Sequence, residues 1–188
     1  DLNPLILSGP RPVAVDALVV LAPERKPPPE PRPLPDEATL RERFRPLFEP
    51  RGIVVTGVSS HPGKFGFVTY HNLLRYGFEG DLFPIQRDGE EILGRPTWRD
   101  VAEVPDGAAD LVFVCTPAKI NPELLRACAA KGVRAAFMAS AGYGEAGEEG
   151  RARQRELVAL CDELGLLLIG PNGQGVVSTP RSMCAQIV

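Results

Sequence analysis

The stretch Gly52-Ile53-Val54-Val55-Thr56-Gly57-Val58-Ser59-Ser60-His61-Pro62-Gly63-Lys64-Phe65-Gly66 decides how the rest of the chain is read. Residues 52–56 form an apolar, β-branched run of the kind that makes a buried strand. Gly57 lets such a strand turn sharply, and residues 65–76 then place Phe67, Tyr70 and Leu74 on one side of a helix. Gly63 and Gly66 permit close backbone approach, and the free amides at the start of the helix favour an anion. Ser59 and Ser60 add hydroxyl donors, Lys64 adds a positive charge, and His61-Pro62 lies in the loop within reach of a phosphate. The spacing is not that of the G-x-G-x-x-G fingerprint. A plain tight turn would also account for the glycines, but the coincidence of glycine, hydroxyl and lysine at a helix start favours a phosphate.

Outward from this junction, strand, loop and helix alternate. Residues 81–86, 110–115, 133–138 and 166–169 read as further strands. Helices are expected over 122–131 and over 148–164, the latter with Leu157, Cys161 and Leu164 in register. An earlier helix starts at the capping residue Asp36 and runs to about Phe48, with Leu40, Phe44 and Leu47 at helical spacing. Apolar strands alternating with amphipathic helices predict an α/β fold of Rossmann-like type, a parallel sheet with helices on both faces.

Ligands of open α/β sheets bind beyond the carboxyl ends of the strands, so the residues there are the candidate site. Strand three ends in Thr116-Pro117-Ala118 and strand four in Ser140-Ala141-Gly142-Tyr143-Gly144, small residues that would leave a crevice for a long, thin ligand. Loops after strands are also rich in such residues for turn chemistry alone. Strand two ends in Gln86-Arg87-Asp88. A dinucleotide fold places an acidic residue there for the ribose hydroxyls. Arg87 suits a phosphate better, Asp88 beside it blurs the distinction, and coenzyme A and NAD are separated only weakly at this point. His71 reads as a packed or surface residue of the first helix, and no Ser–His–Asp or paired-carboxylate arrangement can be argued.

The first 36 residues are of a different kind. Leu5-Ile6-Leu7 and residues 13–21, separated by Ser8-Gly9-Pro10-Arg11-Pro12, predict a hairpin too short to bury its own apolar face. Residues 23–36 are so dense in proline that an extended, stiff linker is expected, with a proline-rich ligand for another protein as the alternative. The expected division is a hairpin piece at 1–22, the linker at 23–36, a ligand-binding domain at 37–180 and the start of a following segment at 181–188.

Composition narrows the function classes. The 188 residues are 44% hydrophobic and 24% charged with a net charge of −3, so neither a basic face for nucleic acid nor a disordered chain is expected. The cysteines at 115, 128, 161 and 184 are scattered without a C-x-x-C pair, which predicts reduced thiols in a cytoplasmic protein rather than disulfides or a metal cluster. No apolar run approaches the roughly 20 residues of a membrane span, and no signal peptide is read. The start at Asp1-Leu2-Asn3-Pro4, without an initiator Met, is expected of a piece of a longer polypeptide.

Taken jointly, Gly57 to Gly66, Thr116-Pro117-Ala118, Ser140 to Glu145, Gly147-Glu148-Glu149-Gly150 and Ile169-Gly170-Pro171-Asn172-Gly173-Gln174-Gly175 resemble the CoA-binding domain of the nucleoside-diphosphate-forming acyl-CoA synthetases. That family includes succinyl-CoA synthetase and ADP-forming acetyl-CoA synthetase. The resemblance implies that Gly57, Ser59, Ser60, His61, Pro62, Gly63 and Lys64 grip coenzyme A phosphates. It also implies that Thr116, Pro117, Ser140, Ala141 and Gly142 line the rest of the ligand, with Gln86 and Arg87 at the end of strand two. The family usually ends that strand in Asn-Pro-Lys, which leaves Arg87 as the replacement for the lysine, and usually has a Cys or similar residue where this chain has Gly173.

Asp1-Leu2-Asn3-Pro4-Leu5 with Val13-Ala14-Val15-Asp16-Ala17 resembles the last hairpin of the ATP-grasp domain of the same enzymes, which implies Asn3 and Asp16 as Mg²⁺ ligands beside ATP or ADP in the intact domain. The implied reaction joins a small acid to coenzyme A at the expense of ATP, giving acyl-CoA, ADP and phosphate. A histidine of a later domain would carry the phosphoryl group, so this stretch would not be catalytic alone. Other domains of the same chain, the acyl substrate and a homo-oligomer are the expected partners, with neither nucleic acid nor membrane among them. Two other classes fit the same residues, a CoA-sensing domain of a protein acetyltransferase and an NAD(H)-binding redox module.

Overall fold

The computed structural model describes residues 5–8, 11–14 and 35–188, in two compact units divided between Leu34 and Pro35. In the first unit β1 (Leu5–Ser8) pairs antiparallel with β2 (Arg11–Ala14). The expected hairpin is therefore present, its second strand beginning two residues before Val13. The candidate metal ligands Asn3 and Asp16 and the proline-rich stretch lie outside the described residues.

In the second unit α1 (Glu37–Phe48) is capped by Asp36, whose side chain accepts from the Thr39 amide at 2.9 Å. There follow β3 (Gly52–Thr56), α2 (Phe65–Arg75), β4 (Asp81–Ile85), β5 (Leu111–Val114), α3 (Asn121–Ala130), β6 (Ala135–Met138), α4 (Gly147–Leu164) and β7 (Leu167–Ile169). The five strands form one parallel sheet in the order β4-β3-β5-β6-β7. The chain goes from β3 to one side and then returns to the other, which makes the carboxyl edge between β3 and β5 the topological switch point.

Both faces of the sheet are covered, which is why its strands are apolar without alternation. Ile53, Val55, Phe113 and Phe137 pack under α1 and α2 with Leu47, Tyr70 and Leu73, while Val54, Val112, Val114 and Met138 pack under α3 and α4 with Leu125 and Leu157. Phe113 and Phe137 stack at 4.9 Å between ring centroids, joining the central strands on the first face.

The expected domain boundary at 180 falls inside this unit. β8 (Gly175–Ser178) and β9 (Met183–Gln186) form an antiparallel hairpin whose Val176, Met183 and Ala185 close the α1–α2 core. Thr69 Oγ1 and Asn72 Nδ2 of α2 both donate to the Gln186 carbonyl at 3.2 Å, so the unit runs to Val188. Two four-residue strands joined by Thr179-Pro180-Arg181-Ser182 lack the Asn-Gly or Gly-Gly signature that marks a hairpin in sequence.

Two contacts fix the two edges of the sheet. At the amino edge Arg51, just before β3, places its guanidinium on Asp110, just before β5, with Nε at 2.9 Å and Nη2 at 2.6 Å, while its amide donates to the same carboxylate at 2.8 Å. Asp110 is 1% exposed, and the fork geometry satisfies both of its oxygens. The Arg51 hydrogen bonds hold the Asp110 carboxyl below its ordinary range, against the opposing effect of burial. At the carboxyl edge Gly66, in the first turn of α2, lies so close to Gly57 that any Cβ would overlap the Gly57 carbonyl.

These contacts carry two expectations. Gly66→Ala should destabilise the unit by about 3 kcal/mol through overpacking against backbone that cannot yield, read as a lowered urea midpoint with an unchanged slope. Asp110→Asn should also lower the midpoint at pH 7. A folded pKa below the unfolded value of about 3.9 means that the stabilisation is complete above that pH and disappears as the pH falls through the folded value. The gap between Asp110→Asn and the parent should therefore close under acid conditions, and a gap independent of pH would show that ionisation is not its origin.

Candidate functional site

The loop between β3 and α2 occupies the switch point. Gly57, at φ +67°, turns the chain away from the strand against the Cys115 carbonyl at the end of β5, a position where any Cβ would stand 2.8 Å from that oxygen. On its other side the Val58 amide donates to the Ile85 carbonyl at 3.2 Å, at the end of β4. The loop is thus stitched to both neighbouring strand ends.

Within the loop the side chains fold inward on the backbone. Ser59 Oγ accepts from the His61 amide at 3.1 Å, and His61 Nδ1 accepts from the Gly63 amide at 3.0 Å. An acceptor role for Nδ1 leaves the ring proton on Nε2, so the exposed edge of His61 is a donor. Lys64 is the N-cap of α2 and supplies no side-chain cap; the amides of Phe65, Gly66 and Phe67 find no acceptor among the described residues. Lys64, His61 and Ser60 are exposed around these amides. A helix N-terminus whose first amides have no acceptor, with a lysine and an imidazole N–H beside it, offers donors of the kind that suit an anion.

The other predicted residues divide into those free to meet a ligand and those already engaged. Thr116 Oγ1 donates to Asn121 Oδ1 at 2.7 Å, and Asn121 Nδ2 donates to the Tyr143 hydroxyl at 3.0 Å. Ser140 Oγ donates to the Thr116 carbonyl at 2.6 Å. The Ser140 hydroxyl therefore joins the ends of β5 and β6 and the Thr116 hydroxyl ties the end of β5 to the start of α3, while Pro117 and Ala141 are exposed on the loop surfaces. The Gly142 and Tyr143 amides donate to the Glu145 carboxylate, and the Gly142 carbonyl accepts from Arg153 Nη1 at 2.6 Å. These amide bonds hold the Glu145 carboxyl below its usual range.

At the end of β4 the Gln86 side chain is also engaged, accepting from the Glu90 amide at 3.2 Å and reaching Asp88 at 3.5 Å. Arg87 beside it is exposed, with no carboxylate within salt-bridge distance among the described residues. Gly173 has its own reason for being small, because a Cβ there would stand 2.7 Å from the Phe137 ring.

Asn121 and Arg153 complete this edge without having stood out in the sequence, and Tyr143 and Glu145 stood there only as parts of a motif, with no role of their own. Their side chains act across loops, and nothing in their local spacing marks the partner. Between α3 and α4 the edge continues into a cleft of about 620 Å³ lined by Ala118, Lys119, Pro122, Tyr143, Arg153 and Leu157. Among the described residues no cluster of His, Cys, Asp or Glu could hold a metal ion, and no helix is long and apolar enough to cross a membrane. The four thiols are free. Burial pushes Cys115 and Cys128 up to about 12 and Cys161 up to about 11, so none of these three is a ready nucleophile.

Comparison with known proteins identifies the family. The family model for the CoA binding domain matches residues 51–179. The alpha subunit of acetate–CoA ligase [ADP-forming] I from Pyrococcus furiosus is 40% identical over 143 residues, covering 74% of this chain and 31% of that protein. Acetate–CoA ligase [ADP-forming] II from Archaeoglobus fulgidus is 32% identical over 179 residues, 95% of this chain and 25% of that one. Among solved structures, the dinucleotide-forming acetyl-coenzyme A synthetase 1 of Ca. Korarchaeum cryptofilum, in complex with phosphate and ADP, superposes with a TM-score of 0.71 at 30% identity over 77% of this chain and 30% of that one. The chain thus spans about a third or less of the length of these relatives. With the match over residues 51–179 and relatives 40% and 32% identical, the chain belongs to the CoA-binding domain family shared with the ADP-forming acyl-CoA ligases.

Proposed function

We propose that this chain is the coenzyme A-binding portion of a nucleoside-diphosphate-forming acid–CoA ligase, which converts an acid, coenzyme A and ATP into acyl-CoA, ADP and phosphate. The observation that carries the reading is the open N-terminus of α2, with three unaccepted amides ringed by Lys64, His61 and Ser60. Coenzyme A supplies the thiol on which the acyl group leaves the enzyme.

The residues of this chain bind and orient. The Phe65, Gly66 and Phe67 amides and the His61 Nε2–H point at the pyrophosphate, and Lys64 balances its charge. Gly57 and Gly66 let the backbone approach closely enough for those amides to reach, and the Thr116–Ser140 ties keep the crevice walls in register. Gln86, Thr116 and Ser140 support the site through the loops they brace. Phosphoryl transfer would lie in other domains of the full protein, with Asn3 and Asp16 holding Mg²⁺ beside the nucleotide in an ATP-grasp domain. A small acid and those other domains would be its partners.

Calorimetry with coenzyme A and with NADH tests the assignment. The chain should bind coenzyme A and not NADH, and binding should weaken as salt rises, because the contacts are ionic and exposed. Lys64→Gln should reduce affinity for coenzyme A roughly tenfold, the scale of one charge-assisted hydrogen bond partly screened by solvent. His61→Ala should weaken binding in the same direction. Tight NADH binding with none for coenzyme A would overturn the reading.

A further inference from the structure

We propose that the cavity between α2, the start of β4 and residues 95–98 is a second ligand site, built for a small carboxylate with an aromatic or branched apolar body. It lies away from the carboxyl edge. Asp81 and Leu82, which line it, begin β4, and Leu73 lines it from the second half of α2. At about 470 Å³ it falls in the size range of small-molecule sites. It plays no part in the coenzyme A binding described above, so each can stand without the other.

The group that marks the site is the Tyr70 hydroxyl. Tyr70 is 2% exposed and belongs to the α1–α2 core. A tyrosine buried to this degree normally finds a hydrogen-bond partner for its hydroxyl. Here it has none among the described residues, although Arg181 Nε is the only side-chain polar atom among them that is both fully enclosed and unpartnered. The Tyr70 hydroxyl is therefore reached from the cavity that Tyr70 lines, and only a group entering that cavity can meet it.

Arg95 brings the charge. Residues 92–95 form a tight turn in which the Ile92 amide donates to the Arg95 carbonyl at 2.9 Å and the Arg95 amide to the Ile92 carbonyl at 3.1 Å. Its central residues Leu93 and Gly94 sit at φ +54° and +70°, a left-handed conformation that costs a leucine free energy. Ile92, 1% exposed, anchors the turn in the same core as Tyr70, so Arg95 is held at the cavity. Its side chain is exposed, with no carboxylate within salt-bridge distance among the described residues. Burial pushes the Tyr70 hydroxyl up and the Arg95 charge works against it, so the guanidinium lies within electrostatic reach of the phenol. Trp98 adds to the apolar lining. It is fixed by its amide on the Pro84 carbonyl at 2.9 Å, by the Gln86 amide on its own carbonyl at 2.8 Å, and by its ring on Phe83 at 5.9 Å between centroids.

These groups specify the ligand. A guanidinium and a phenol O–H can donate to the oxygens of one carboxylate, while Leu73, Leu82 and Trp98 take up its hydrocarbon part. Asp81 is exposed, so its repulsion of an anion is screened by solvent. Its presence favours a ligand with a single negative charge over a phosphate dianion.

Trp98 is the single tryptophan of the chain, and its fluorescence reads occupancy of the cavity. With phenylacetate as the probe at millimolar concentration, the chain should show a saturable change in Trp98 emission, matched by calorimetry. Phenylacetamide and 2-phenylethylammonium, which keep the ring and lack the negative charge, should bind roughly tenfold or more weakly. Arg95→Gln should weaken phenylacetate roughly tenfold, and Arg95→Lys should recover part of the loss. Tyr70→Phe removes an oxygen that has no partner, so it should keep the parental urea midpoint and still weaken phenylacetate. Arg75→Gln, a charge change on α2 outside the cavity, should leave the affinity unchanged. No saturable binding of phenylacetate by either measurement would overturn the proposal. So would equal binding of the three probes, parental affinity in Arg95→Gln and Tyr70→Phe, or equal losses in Arg75→Gln and Arg95→Gln.

Discussion

Helix α2 can begin where it does only because Gly66 offers no side chain to the carbonyl of Gly57. That close approach brings the first turn of the helix against the end of β3 and leaves the Phe65, Gly66 and Phe67 amides facing the carboxyl edge. A helix displaced by the width of a methyl group would still cover the sheet. Its amides would no longer converge with Lys64 and His61, and an anion site depends on that convergence. The order β4-β3-β5 then sets this junction at the switch point, where no crossover covers it.

The site is built largely from backbone, and the polar side chains around it hold that backbone in place. Ser59, Thr116, Ser140 and Glu145 each bond to loop amides, loop carbonyls or a neighbouring side chain. Such positioning matters because a phosphate is held by several weak donors whose effect depends on their directions. It also separates two meanings of a site residue, one that touches the ligand and one that aims another group. Under the proposed coenzyme A reading, the exposed Lys64, His61 and Arg87 are candidates for the first, and Thr116, Ser140 and Gln86, with their occupied hydrogen bonds, for the second.

The arginines show charge used in two ways. Arg51 is committed to the buried Asp110, where it satisfies a carboxylate that would otherwise be costly to enclose. Arg87 is left exposed at the opposite edge, where an unpaired cation has little cost in water and is available to an incoming anion. The net charge of −3 conceals this, because it averages over both edges.

Much of the fold was legible in the sequence. Strands buried on both faces are continuous apolar runs, and the helices between them carry a clear 3.6 period, so β3 to β7 and α1 to α4 fall close to where 52–56, 65–76 and the later segments were expected. The Gly57-to-Gly66 loop was legible because a local turn and a local helix start share one stretch. The division of the candidate residues was not. Whether Thr116 reaches a ligand or Asn121, and whether Arg95 shares a cavity with Tyr70, depends on groups brought together across loops. The β8–β9 hairpin escaped for a related reason, since its short strands are stabilised by packing on α2 more than by a turn signature of their own. Local periodicity and turn chemistry thus determined the elements and the Gly57-to-Gly66 loop, whereas contacts between residues distant in sequence decided which side chains are already engaged and which are left exposed.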